Sequence, residues 1–148
     1  MSFPKHLAPH RHPLRTHGFT LLELLVVLLI IAMLAGYVGP KLFGELDRAK
    51  VKTAQGQIKA IGDALDRYRL DVGAYPSTEQ GLGALLENPA DAGARWHGPY
   101  LTREIPADPW GRRYHYTRPG SAGKDFDLMS YGADGKPGGT GYAADVTW

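Results

Sequence analysis

No cysteine occurs anywhere in the 148 residues. The exposed part of the chain is therefore held without disulfides, and an oxidising compartment is neither required nor excluded. The marks of catalysis are scarce too. His10 and His12 lack the partners of a zinc site, no phosphate-binding glycine pattern is present, and no nucleophile elbow surrounds Ser130. Ser130, His115 and Asp127 can be set out as a triad on paper, but His115 alternates within a strand-like stretch and Asp127 precedes a strand core. The chain reads as no enzyme. Nucleic-acid binding fares no better. The pI of about 8.9 is basic, yet the three tryptophans and eight tyrosines are scattered without interleaved basic residues, so core packing is their expected role. Acid is absent from residues 1 to 18, which carry Lys5, Arg11, Arg15 and four histidines. Beyond them stand 14 Lys and Arg against 15 Asp and Glu. The basic balance belongs to the leader, and nucleic acid is not an expected partner.

What is there begins at Gly18-Phe19-Thr20-Leu21-Leu22-Glu23, directly in front of an unbroken apolar run. From Phe19 to Val38 the only polar side chains are Thr20, Glu23 and the Tyr37 hydroxyl. About 20 helical residues at ~1.5 Å each span the ~30 Å hydrocarbon core, so this segment can cross a bilayer. The basic leader then stays in the cytoplasm and the chain after Pro40 lies across the membrane. A secretory signal has a shorter apolar core of about 7 to 15 residues and a small-residue cleavage site. Here Ala32-Met33-Leu34-Ala35-Gly36 lacks that spacing. The predicted cut is at the boundary before the helix, after Gly18. A carboxylate at membrane depth is a functional hypothesis by default, and Glu23 needs a cationic partner. A new ammonium at Phe19 of a neighbouring copy would supply one; the bland alternative is a lone Glu snorkelling near the end of a plain anchor.

The junction Gly18-Phe19-Thr20-Leu21-Leu22-Glu23-Leu24-Leu25-Val26-Val27 resembles the type IV prepilin class. That resemblance implies cleavage after Gly18 by a membrane prepilin peptidase, N-methylation of Phe19, and assembly through Phe19 and Glu23. The chain then divides into a cleaved leader (1–18), a transmembrane and assembly helix (19–40) and a periplasmic domain (41–148). Gly36, Gly39 and Pro40 close the apolar run, and a kink or melted turn is predicted over 36–40 because proline removes one hydrogen bond and crowds the carbonyl four residues back. Pro40 is read equally as an assembly hinge, by resemblance, and as a simple membrane-exit boundary.

From Lys41 to about Leu70 the residues Leu42, Leu46, Ala49, Ala54, Ile58, Ile61, Leu65 and Tyr68 recur mostly three or four apart, which predicts an amphipathic helix. Lys59 with Asp63, and Asp63 with Arg67, are expected as exposed pairs four apart. Gly73 caps the helix, and residues 79–86 predict a short second helix before Asn88-Pro89. Three strands are predicted, over 113–116, 126–130 and 145–148. The fold class is α+β: a long N-terminal helix packed on a small antiparallel C-terminal sheet, with Ile58, Ile61 and Leu65 buried against the aromatic side chains. Pro106, Pro109 and Trp110 are expected to brace a loop onto the helix.

Tyr75-Pro76-Ser77-Thr78-Glu79-Gln80-Gly81-Leu82 and Asp108-Pro109-Trp110-Gly111 resemble the major pseudopilin of the type II secretion system. The resemblance implies a pilin-like fold and a homopolymer: a periplasmic pseudopilus, rooted in the bacterial inner membrane, that drives export of folded proteins through an outer-membrane secretin. Its partners are then minor pseudopilins, the prepilin peptidase and the inner-membrane assembly platform. A type IV pilus subunit shares the N-terminal motif, but most such pilins close a C-terminal disulfide loop, for which this chain has no cysteine. A monomeric membrane-anchored binding domain is the third reading and predicts an uncleaved leader.

Residues 131–145 hold five glycines and the carboxylates of Asp134 and Asp145. Ordering such a loop is costly. Two carboxylates, turned-in carbonyls and the Thr140 hydroxyl make a hard oxygen set suited to calcium, although the alternating acids and closing Glu of an EF-hand are absent. Turn-forming aspartates explain the same residues. The resemblance favours a metal: it implies a calcium site with Asp134 and Asp145 as ligands, Tyr131 through its carbonyl, and Thr140 beside its glycine neighbours. Relatives often carry a further acid or Ser where this chain reads Gly138-Gly139-Thr140-Gly141.

Overall fold

The computed structural model describes residues 18–148; the leader expectations otherwise lie outside them. One helix, α1 (Leu21–Val72), is followed by short 3-10 turns and by strands β1 (His115–Thr117), β2 (Asp127–Ser130) and β3 (Val146–Thr147). The chain divides into two compact units between Pro40 and Lys41.

The first unit is apolar helix. Every large apolar side chain from Phe19 to Val38 is 44 to 84 % exposed among the described residues. Among the described residues α1 is the single helix long and apolar enough to cross a membrane. The predicted melted turn at 36–40 does not form. The helix runs through Pro40 without interruption, because the missing amide removes one bond from a 52-residue ladder, and intact turns on both sides propagate across the gap.

The second unit is built on the rest of α1. Ala54, Ile58, Ile61, Leu65, Tyr68 and Val72 recur on one face and are buried, joined in one core by Leu82, Leu85, Tyr114, Tyr116, Phe126, Leu128 and Val146. The predicted face is therefore correct from Ala54 onward. It fails at Leu42 and Leu46, which are 68 and 52 % exposed, and beside them Phe43 is 70 % exposed. Ala49 is exposed too. The period is helical there, but only the hydroxyl end of Tyr142 comes near this stretch, beside Gly44, and it leaves Leu42 and Leu46 uncovered.

Gly73 ends α1 in the left-handed region at φ 95°, its amide closing on the Arg69 carbonyl at 2.8 Å. The expected second helix is instead a 3-10 turn at Gly81–Leu85. Positive φ at Gly81 limits it at one end and Asn88-Pro89 limits continuation at the other. Of the two charge pairs, Lys59 and Asp63 meet at 3.2 Å, whereas Asp63 and Arg67 do not pair among the described residues, since Lys59 already holds the carboxylate.

The sheet is antiparallel in the order β1-β2-β3, with Tyr116 opposite Leu128 and Ser130 opposite Val146. Strand alternation places Tyr116, Leu128, Ser130 and Val146 inward. Three core aromatics have their polar tips tied off: Tyr116 donates to the Pro76 carbonyl at 2.7 Å, partly buried Trp96 to the Ala84 carbonyl at 2.9 Å, and Tyr114 to Gln57. Trp110 is partly buried against the core. Trp148 lies over Gly62 of α1, where a Cβ would stand 2.2 Å from the ring.

Candidate functional site

Two regions carry chemistry. The first is the start of α1. Gly18 and Phe19 are exposed. Thr20 and Glu23 form a reciprocal cap: the Glu23 amide donates to Thr20 Oγ1 at 3.2 Å, while Glu23 Oε2 accepts from the Thr20 amide at 2.9 Å and hydroxyl at 3.0 Å. Thr-x-x-Glu ahead of an apolar run is a capping box, a signal legible in the sequence but overshadowed there by the cost of the acid. One carboxylate oxygen is thus engaged within the chain. Oε1 has no partner among the described residues.

The second region is the loop 131–145. A turn closes where the Gly135 amide meets the Tyr131 carbonyl at 3.1 Å, and the Ala133 amide reaches the Tyr142 carbonyl at 3.0 Å. Asp134 receives the Lys136 amide at 3.0 Å and is otherwise exposed. Asp145 anchors the far side: its amide donates to the Gly138 carbonyl at 3.1 Å and its Oδ2 accepts from the Gly138 amide at 2.9 Å. At Gly139 the backbone adopts φ 81° and a Cβ would lie 2.2 Å from the Ala143 carbonyl oxygen, so only glycine fits.

This loop bears on a metal in two ways. Asp145 Oδ1 is enclosed and accepts no hydrogen bond among the described residues, an orphan that a hard cation would satisfy. Neither Asp134 nor Asp145 pairs with a Lys, Arg or His among the described residues. The same residues do not gather three acidic or imidazole side chains into one cluster, so a cation here would depend on backbone carbonyls as well. Thr140 is exposed, and its carbonyl takes the Ala143 amide at 3.1 Å. The donor set, all oxygen, fits calcium and not zinc.

The paper triad does not assemble. The Ser130 hydroxyl donates to buried Asp108, His115 lies against Tyr131 with ring centres 5.5 Å apart, and Asp127 accepts the Ser121 amide at 2.7 Å. Those two amide and hydroxyl interactions of Ser121 hold the Asp127 carboxyl below the usual aspartate value. Asp108 is the residue sequence reasoning passed over. It sits in the Asp108-Pro109-Trp110-Gly111 turn, 4 % exposed, and accepts from the amides of Trp110 at 3.1 Å and Arg112 at 2.8 Å.

Comparison with known proteins turns on these same segments. Residues 41–148 match the family of type II secretion system protein G, and residues 14–38 match the prokaryotic N-terminal methylation motif. The chain belongs to the type II secretion protein G family. Within that family it is 48 % identical over 131 residues to the type II secretion system core protein G of Pseudomonas aeruginosa, covering 87 % of this chain and 92 % of that one. The core protein G of Vibrio cholerae is 44 % identical over 131 residues, covering 87 and 88 %. The crystal structure of the major pseudopilin from the type 2 secretion system of enterohaemorrhagic Escherichia coli superposes with a TM-score of 0.58 at 37 % identity, over 73 % of this chain and 93 % of that one. The pseudopilin fold and the secretion reading therefore stand, ahead of the pilus subunit. The family is one of structural secretion components, and its match covers the whole second unit.

Proposed function

We propose that this pseudopilin is cleaved after Gly18 and methylated at Phe19 by a prepilin peptidase, and that the processed chains polymerise through their apolar helices into a periplasmic pseudopilus. The observation that carries the reading is the bare half of α1: the large apolar side chains from Phe19 to Val38 are exposed among the described residues, and such a surface belongs in lipid or against copies of itself. Within that bundle Glu23 meets the new ammonium of an adjacent subunit through Oε1, while Oε2 keeps its cap. The helix sits in the bacterial inner membrane with the leader cytoplasmic and residues 41–148 periplasmic. Pro40 marks the membrane exit. Minor pseudopilins, the assembly platform and, indirectly, the secretin and its exported proteins complete the machinery. The role is structural, not catalytic.

We further propose calcium as the constraint that replaces disulfides in the 131–145 loop. Asp145 and Asp134 would hold it, with the Tyr131 carbonyl and Thr140 completing the oxygen set; the enclosed, unpartnered Asp145 Oδ1 supports this. Chelation is expected to lower the melting temperature of the full chain in detergent, and an identical melt with and without calcium refutes the site.

A deletion strain tests the main reading. Loss of exoprotein release with surface pili intact is the expected result; lost pili with normal release would overturn it. Mass spectrometry of the mature chain should find methylated Phe19 as its first residue.

A further inference from the structure

The metal loop is held from outside by one side chain. Arg112 follows the Asp108 turn, and its backbone is fixed there in both directions. Its amide donates to Asp108 Oδ1 at 2.8 Å, and its carbonyl accepts the Asp108 amide at 2.7 Å. From this footing the side chain reaches the Gly132 carbonyl through Nη2. The guanidinium carbon then lies 3.0 Å from where a Cβ would project at Gly135. Residues 132 and 135 bracket the turn that carries Asp134, and the Tyr131 carbonyl closes that turn on the Gly135 amide. One planar group thus bonds to Gly132 and lies beside Gly135, at the two ends of the turn that carries Asp134.

The arginine is not there as a counterion for those donors. It forms no ion pair with Asp134 or Asp145 among the described residues; its nearest carboxylate contact is Asp108 Oδ2, at 4.0 Å from Nε. A positive group beside a cation site opposes binding by charge, so its benefit has to come from geometry. By holding the Gly132 carbonyl toward the Asp108 turn, it fixes which way the peptide planes of 132–135 face. In a glycine-rich segment that choice is otherwise open, and ordering it costs binding energy.

We propose that Arg112 is a positioning residue for calcium: it pre-sets the Tyr131–Gly135 turn so that the Tyr131 carbonyl and Asp134 meet the ion together with Asp145. The inference rests on the calcium reading of the same loop. It goes beyond that reading by assigning affinity to a side chain outside the ligand set.

Isothermal titration of the full chain in detergent micelles with calcium separates the alternatives. Arg112→Lys keeps the charge and loses the planar fork; Arg112→Ala removes both. Ile58→Val, in the core, controls for general destabilisation. Positioning expects both Arg112 variants to bind calcium about tenfold more weakly, as loss of residues that orient metal ligands commonly does, while Ile58→Val binds as the parent does. Should Arg112→Ala fail to fold, Arg112→Lys decides alone. Arg112→Lys binding as tightly as the parent, or Arg112→Ala binding more tightly, overturns the positioning role and leaves the calcium site standing. A parent chain that takes up no calcium overturns both.

Discussion

Replacing Asp108 by alanine leaves three donors without their acceptor: the amides of Trp110 and Arg112 and the Ser130 hydroxyl. Asp108 and Ser130 are 4 and 1 % exposed, so water cannot substitute freely. Each buried donor left unsatisfied costs about 1 to 3 kcal/mol. The hydroxyl can rotate toward another acceptor, so the two amides dominate, and the sum is about 3 to 5 kcal/mol once the lost volume is included. At about 4 °C per kcal/mol for a domain near a hundred residues, the melting temperature should fall by about 12 to 20 °C. Asp108→Asn keeps an acceptor for both amides and turns a donor toward Ser130, whose hydroxyl can accept instead; its loss should stay below about 2 kcal/mol. The assay is urea unfolding of the full chain in detergent, followed by tryptophan fluorescence, since Trp110 sits in the turn. An alanine variant that loses less than about 1 kcal/mol, or no more than the asparagine variant does, refutes the view that this carboxylate organises the turn.

Four further outcomes are expected. Glu23→Gln retains the reciprocal cap with Thr20 but not the charge; it should fail to assemble, as Glu23→Ala should, and normal fibre yield from the glutamine variant would reduce Glu23 to a helix cap. Burial pushes the Tyr114 and Tyr116 hydroxyls up to about 12 from 10.0. The folded state therefore holds those protons after the unfolded chain has released them, and stability falls as pH rises from about 10 toward 12. An ultraviolet absorbance titration in which all eight tyrosines ionise together while the fold persists would contradict this. Gly62→Ala drives a methyl into the Trp148 ring; overpacking of this kind costs about 1 to 3 kcal/mol and should swing the tryptophan into water, visible as a red-shifted emission. Leu65→Ala, at a position with no exposed surface, should cost about 2 to 5 kcal/mol in the same unfolding assay.

The parts of the fold legible in the sequence are those governed by local periodicity. The spacing of Ile58, Ile61, Leu65 and Tyr68 gave the buried face of α1, and the left-handed cap at Gly73 followed from residue type alone. Periodicity overreached at Leu42 and Leu46, since apolar spacing says which face is greasy and not what covers it. At Pro40 a melted turn does not form, because the long ladder on either side outweighs the one bond lost. Asp108 and Arg112 were silent because their meaning is non-local. A buried acid in a turn and an arginine beside it read as surface charge until Ser130 and Gly132, about 20 residues further on, are brought against them. The Thr20 cap was written plainly as Thr-x-x-Glu and was missed only because Glu23 had a louder role.

The brevity of the sheet has a consequence for a molecule that is packed in rows. Its outer strands hold three and two residues, too few unpaired backbone groups to recruit a strand from the next copy. Crowding along a filament raises local concentration enormously, and a long bare ladder would invite growth sideways into aggregates. With stunted margins, growth is confined to the one axis that the greasy helix defines.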